Sequence, residues 1–153
     1  MRVCGIDPGN NGAACVLDSM SSGPPPLLDF HNHSTFEVTN WLHHQHVDAV
    51  WVEDIHSLYQ VTAKSNFGLG RSVGIALSIA EVARKGIQPF RVTPKVWQKY
   101  IGVASKGKAI KNDVANLAAN LYPKANLYGP KGGLKDGRAD ALMIAHYGLN
   151  HTP

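Results

Sequence analysis

The sequence predicts an α/β protein built on one mixed five-stranded sheet, an antiparallel hairpin meander first and parallel strands after it, flanked by helices. Three observations predict it. Arg2 to Ile6 and Ala13 to Leu17 are short β-type runs on either side of the turn cluster Pro8-Gly9-Asn10-Asn11-Gly12. Val47 to Glu53 is an apolar, β-branched run of the kind found in buried strands. From there on, strand-like and helix-like patterns alternate, which gives the order β-β-β-α-β-α-β-α-α-α and a sheet with helices packed on it.

The first seventeen residues organise the chain. Proline presets φ, and glycine and asparagine accept positive φ, so residues 8 to 12 read as a hairpin turn. Asp7 stands where the first strand ends, either as a turn-initiating side chain or as something more. Ser19 to Pro26 (S-M-S-S-G-P-P-P) is a loop, because its prolines fit neither a helix interior nor a central strand. Leu27 to His33 reads as a third, edge-like strand. Ser34-Thr-Phe-Glu37 has the spacing of a capping box and opens a helix to His44, with Phe36, Val38, Trp41 and Leu42 as its apolar face. Residues 55 to 70 are rich in polar and small residues and hold two aromatics, Tyr59 and Phe67. A mostly apolar helix follows over 71 to 84, with Gly86 as its C-terminal stop. Pro89 to Thr93 is a short strand. Lys95 to Ile101 is a short helix with Val96, Trp97 and Tyr100 turned inward. Asn112 to Leu121 is a helix closed by Pro123, and the last helix spans about Asp136 to Leu149.

With 153 residues and 44% apolar content, the chain is expected to form a single domain, 1 to 153, with a real core. No apolar run is long enough to cross a bilayer and no signal-peptide core opens the sequence, so a cytoplasmic protein without membrane contact is expected. Fifteen Lys and Arg against eleven Asp and Glu leave +4, which permits a nucleic-acid partner without requiring one. A hairpin turning about Gly9-Asn10 would set Cys4 and Cys15 across from each other, and buried free thiols are the expectation for both.

Carboxylates fall at the ends of elements: Asp7, Glu53, and the pair Asp136 and Asp140 in K-D-G-R-A-D-A-L. Residues four apart on a helix share a face, about 5–6 Å between Cβ atoms. Asp136 suits a helix N-terminus. Asp140 lies a turn deeper, beside apolar packing residues, where an unpaired carboxylate is costly. Divalent cations shared with Asp7 and Glu53 would remove that cost, and all-oxygen ligation suits Mg²⁺ or Mn²⁺. Two such ions about 3.5–4 Å apart activate water and stabilise the leaving oxygen of a phosphodiester.

With these residues in place the chain resembles the RuvC-like Holliday junction resolvases of bacteria and their phages, which have a ribonuclease H-like fold. The resemblance rests on Ile6-Asp7-Pro8-Gly9, on Glu53 closing V-W-V-E-D, and on Ala139-Asp140-Ala141-Leu142-Met143-Ile144-Ala145, in order over nearly the whole chain. It implies a homodimer that binds four-way DNA junctions and nicks two opposing strands, using Mg²⁺ in a pair of sites that Mn²⁺ also fills. Asp7, Glu53, Asp136 and Asp140 would be the metal ligands and catalytic residues. The pattern departs in one place: bacterial members often carry their fourth ligand three residues before the last Asp, where this chain has Gly137. Asp136 is similar instead to the arrangement of phage, poxviral and mitochondrial relatives. A nucleoid-associated protein, or one in the host cytoplasm if phage-encoded, would follow.

For such a substrate the DNA-contacting candidates are Lys106, Lys108 and Lys111 at a helix start, Lys64, Lys135 and Arg138, and Tyr59 or Phe67 as stacking groups, with Gln60 beside the backbone. Lys135 and Arg138 flank the acidic site, where a lysine would also steady the pentavalent phosphate. The apolar helix 71–84 is either a dimer surface or a core helix. His43, His44 and His46 read as helix-end residues rather than a zinc set, His146 is expected away from the cations, and His56 near the scissile phosphate. Competing readings are a flap or branched-DNA nuclease, a ribonuclease H-type nuclease, a non-catalytic junction-binding dimer, and an actin-like phosphotransferase. The last requires a second lobe that 153 residues do not provide.

Overall fold

The structure is a computed structural model and describes residues 1–56 and 61–153. Its five strands are β1 (Arg2–Asp7), β2 (Ala13–Asp18), β3 (Leu27–Asp29), β4 (Ala49–Glu53) and β5 (Phe90–Val92). The helices are α1 (Thr35–His44), α2 (Ala63–Ala83), α3 (Pro94–Tyr100), α4 (Ala109–Leu121) and α5 (Asp136–His151). The sheet runs β3-β2-β1-β4-β5, antiparallel between β1, β2 and β3 and parallel from β1 through β4 to β5. This is the mixed α/β sheet that the sequence predicts.

Alternation along the strands divides the core into two layers. Val3, Cys15, Ala49 and Trp51 face α3, α4 and α5, whereas Cys4, Ile6, Val50 and Val52 face α1 and α2. Helix α5 lies directly on β1. A Cβ on Gly5 would stand 2.2 Å from the Ala141 carbonyl oxygen and 2.3 Å from the Ala145 amide nitrogen, so only glycine admits this approach.

The hairpin register separates the two cysteines. Asp7 pairs with Ala13, which sets Cys4 opposite Val16 and Cys15 opposite Gly5. A turn one residue shorter would have matched Cys4 with Cys15; the observed register turns them to opposite faces, both buried and free.

Other boundaries move for local reasons. The capping box opens α1 as expected, with Ser34 N–H donating to Glu37 Oε2 (2.7 Å) and Glu37 N–H to Ser34 Oγ (3.2 Å). Phe36, however, is 78% exposed and not part of the packed face. Helix α2 begins at Ala63, eight residues before the expected start, capped by the Thr62 hydroxyl. Its first turns carry Gly68 and Gly70 and bury almost nothing, so no apolar stripe marks them in the sequence. In α3 only Trp97 is buried; Val96 and Tyr100, expected inward, are 48% and 45% exposed. The third strand stops at Asp29, four residues early. No helix among the described residues is long and apolar enough to cross a membrane.

Candidate active site

The ends of β1 and β4 are neighbours because these strands pair in parallel, Ile6 opposite Val52, which places Asp7 beside Glu53. Helix α5 begins above them. A Cβ on Gly137 would lie 2.3 Å from the Asn11 carbonyl oxygen, 3.0 Å from Gly12 Cα and 3.1 Å from Asp7 Oδ2. The residue that interrupts the bacterial pattern is therefore the one that lets the first turn of α5 rest on the hairpin turn. Asp136 and Asp140, on either side of it, meet the two strand-end carboxylates.

The electrostatics record the meeting. Burial holds the Asp7 carboxyl well above its ordinary value, and the charges of Glu53, Asp140 and Asp136 push it further, with Lys111 opposing. Asp140 is pushed up to about 7, first by burial, then by Glu53 and Asp136, again with Lys111 opposing. Glu53 is the one buried charged side chain among the described residues, 6% exposed. Burial raises its carboxyl, and Trp97 Nε1–H offsets part of that by donating to Oε1 at 2.8 Å. Asp136 differs: the Lys111 ammonium pairs with it and holds it below the usual carboxylate range.

This set has the donor chemistry of a hard-cation site: oxygen donors only, three of them made reluctant to ionise by burial, and Asp7 and Asp140 by their acidic neighbours as well. Among the described residues no three His, Cys, Asp or Glu side chains stand close enough to hold one ion as placed.

Lys111 is the residue whose place the sequence does not reveal. Grouped with Lys106 and Lys108 as a phosphate contact, it points instead at the acids, and Asp136, Asp140 and Asp7 all act on its charge. Lys111→Met is expected to return the Asp136 titration midpoint to the ordinary aspartate range, read by carboxyl-carbon NMR across a pH series; an unmoved midpoint would show that the pair is not formed in solution.

The remaining candidates are dispersed around this centre. Lys106 and Lys108 are exposed in the turn before α4, Lys64 in the first turn of α2, and Lys135 at the start of α5. Arg138 is not a free surface cation. Its Nε and Nη2 hold the two carboxylate oxygens of Asp29 at 2.7 and 2.8 Å, and its Nη1 donates to the Asn126 and Tyr128 carbonyls, tying α5 to β3. Phe67 is 74% exposed on α2. Tyr59 and Gln60 lie outside the described residues. His56 is exposed, His146 is bonded to the Tyr122 hydroxyl at 2.7 Å, and His43 and His44 bond backbone carbonyls.

A mixed sheet in this strand order, with the last helix laid across its central strand, is an α/β fold of the RuvC type. Two solved structures share it over almost their whole length. RuvC of Thermus thermophilus aligns with TM-score 0.62 and 22% identity, covering 99% of this chain and 98% of that one. T. thermophilus RuvC in complex with Holliday junction substrate aligns with TM-score 0.60 and 18% identity, covering 99% and 97%. No protein-family model matches the chain, and no curated protein matches it.

Proposed function

We propose that this protein is a structure-selective DNA endonuclease that resolves four-way junctions by metal-dependent hydrolysis on opposing strands, acting as a homodimer. The observation that carries the reading is the convergence of Asp7, Glu53, Asp136 and Asp140 at one edge of a RuvC-type sheet, with three of the four carboxyls raised. Asp7, Glu53 and Asp140 are the residues that would hold Mg²⁺, or Mn²⁺ in its place, with Asp136 beside them. Two bound ions would supply the Lewis-acid activation of water and the charge neutralisation at the leaving oxygen.

The chain's own groups do the rest. Trp97 Nε1–H donates to Oε1 and so fixes the Glu53 carboxylate. Lys111 keeps Asp136 ionised and brings a cation to where the phosphorane would carry its charge. Exposed Phe67, Ile75 and Val82 on α2 supply an apolar face for a second copy. Lys64, Lys106, Lys108 and Lys135 are exposed cations, and they favour phosphate backbone.

The deciding experiment presents the protein with an immobile four-way junction, a flap and an RNA–DNA hybrid, each with and without Mg²⁺. Paired nicks in the junction that require the cation are expected. Cutting of the flap or the hybrid in preference would move the protein to the branched-DNA or ribonuclease H-type readings, and junction binding without any cutting would make it a non-catalytic junction protein. Replacing Lys106 and Lys108 together with alanine is expected to weaken junction binding and to lower the slope of log K against log salt by about two. A slope equal to that of the unaltered protein would remove this turn from the interface.

A further inference from the structure

Beside the carboxylates the fold forms a polar cavity of about 310 Å³, lined by Asn11 and Gly12 of the hairpin turn, Asp29, His31 and Asn32 after β3, and Leu134 to Asp136 at the start of α5. It adjoins the candidate active site directly. Asp136 belongs to both, and the Asn11–Gly12 wall meets Gly137 at the point where Asp7 Oδ2 also approaches it.

The lining acids are already neutralised, Asp29 by Arg138 and Asp136 by Lys111. Asn11, His31, Asn32 and Lys135 remain, and their side chains make no hydrogen bond to other described residues. Two amides, an imidazole and an ammonium, drawn from three segments and exposed around one hollow, are the groups that read base edges, stack on base faces and hold phosphate. The volume lies at the lower end of small-ligand pockets, about 300–1,000 Å³.

We propose that this cavity seats the nucleotide next to the scissile phosphate and thereby selects the sequence at which the DNA is cut, an inference that rests on the nuclease reading above. Asn32 reads the base edge, His31 lies against the base face, and Lys135 holds the neighbouring phosphate. Placed beside the reacting centre, the cavity discriminates among cut sites while the lysines elsewhere bind all sequences alike.

The test is a four-way junction library with randomised bases at the branch point, cleaved in Mg²⁺ and sequenced at its new ends, using the unaltered protein and the His31→Ala, Asn32→Ala and Asn32→Asp variants. The unaltered protein is expected to favour one base at a position adjoining the cut by about tenfold or more. His31→Ala and Asn32→Ala should flatten that preference, and Asn32→Asp should shift it toward cytosine, whose exocyclic amine donates to a carboxylate. Cleavage profiles that match the unaltered protein in all three variants would overturn the assignment while leaving the nuclease reading intact. An unaltered protein that cuts no branched DNA would instead remove the reading on which the assignment depends.

Discussion

Asp7→Asn and Asp140→Asn proteins are expected to bind a four-way junction as the unaltered protein does and to cut it at least about a thousandfold more slowly. The same two substitutions should make the fold more stable. Both carboxyls are disfavoured as anions by burial and by their acidic neighbours, so an uncharged isostere relieves a native-state cost. The pH dependence has a definite sign. Asp140 titrates at about 7 in the folded protein and at about 4 in an unfolded chain. Between those values the folded state binds more protons, so stability falls as pH rises through that window. Thermal melts of the unaltered protein and of Asp140→Asn should thus coincide most nearly at pH 4 and diverge toward pH 7. Millimolar Mg²⁺ should restore the loss in the unaltered protein and much less in the variant, since a cation bound only to the folded state stabilises by mass action. Variants that melt lower than the unaltered protein at pH 7, or that still cut normally, would show that these side chains are not the strained centre of the site.

Gly5→Ala is expected to destabilise the protein by about 3 kcal/mol or more, measured as a shift of the denaturant midpoint. The added methyl meets backbone on all sides, at 2.2 Å from the Ala141 carbonyl oxygen, 2.3 Å from the Ala145 amide and 2.9 Å from the Ile144 carbonyl carbon. No rotamer change relieves contacts with another helix's main chain, so α5 must lift off β1. That movement carries Asp140 away from Asp7, and residual junction cleavage should be lost along with stability. A Gly5→Ala protein that melts within a degree of the unaltered one would mean that α5 does not lie on β1 as described.

Much of this arrangement is readable from the chain because local signals and tertiary structure agree. The hairpin, the capping box at Ser34 and Glu37, the apolar strand ending on Glu53 and the two acids four apart in α5 each carry their own pattern. The sequence misleads where a partner is distant. Lys111 and Asp136 are twenty-five residues apart and Trp97 and Glu53 forty-four, so nothing local distinguishes Lys111 from its exposed neighbours or marks an indole for a carboxylate. Val96, Tyr100 and Phe36 mislead for a different reason. In a short helix with several apolar residues, composition does not say which of them meets the sheet, and here Trp97 alone fills that place in α3. The glycines of α2 hide its first turns, because helix signals rest on a buried stripe that an overhanging segment lacks.

The two outermost strands, β3 and β5, are only three residues long, while the longer strands lie between them. So little unpaired backbone offers a poor template for edge-to-edge aggregation. Arg91, exposed on β5 and bonded to Asp54, adds a fixed charge at one of these margins. Joining two copies through one continuous sheet is therefore disfavoured, which points self-association toward the outer surfaces of the helices.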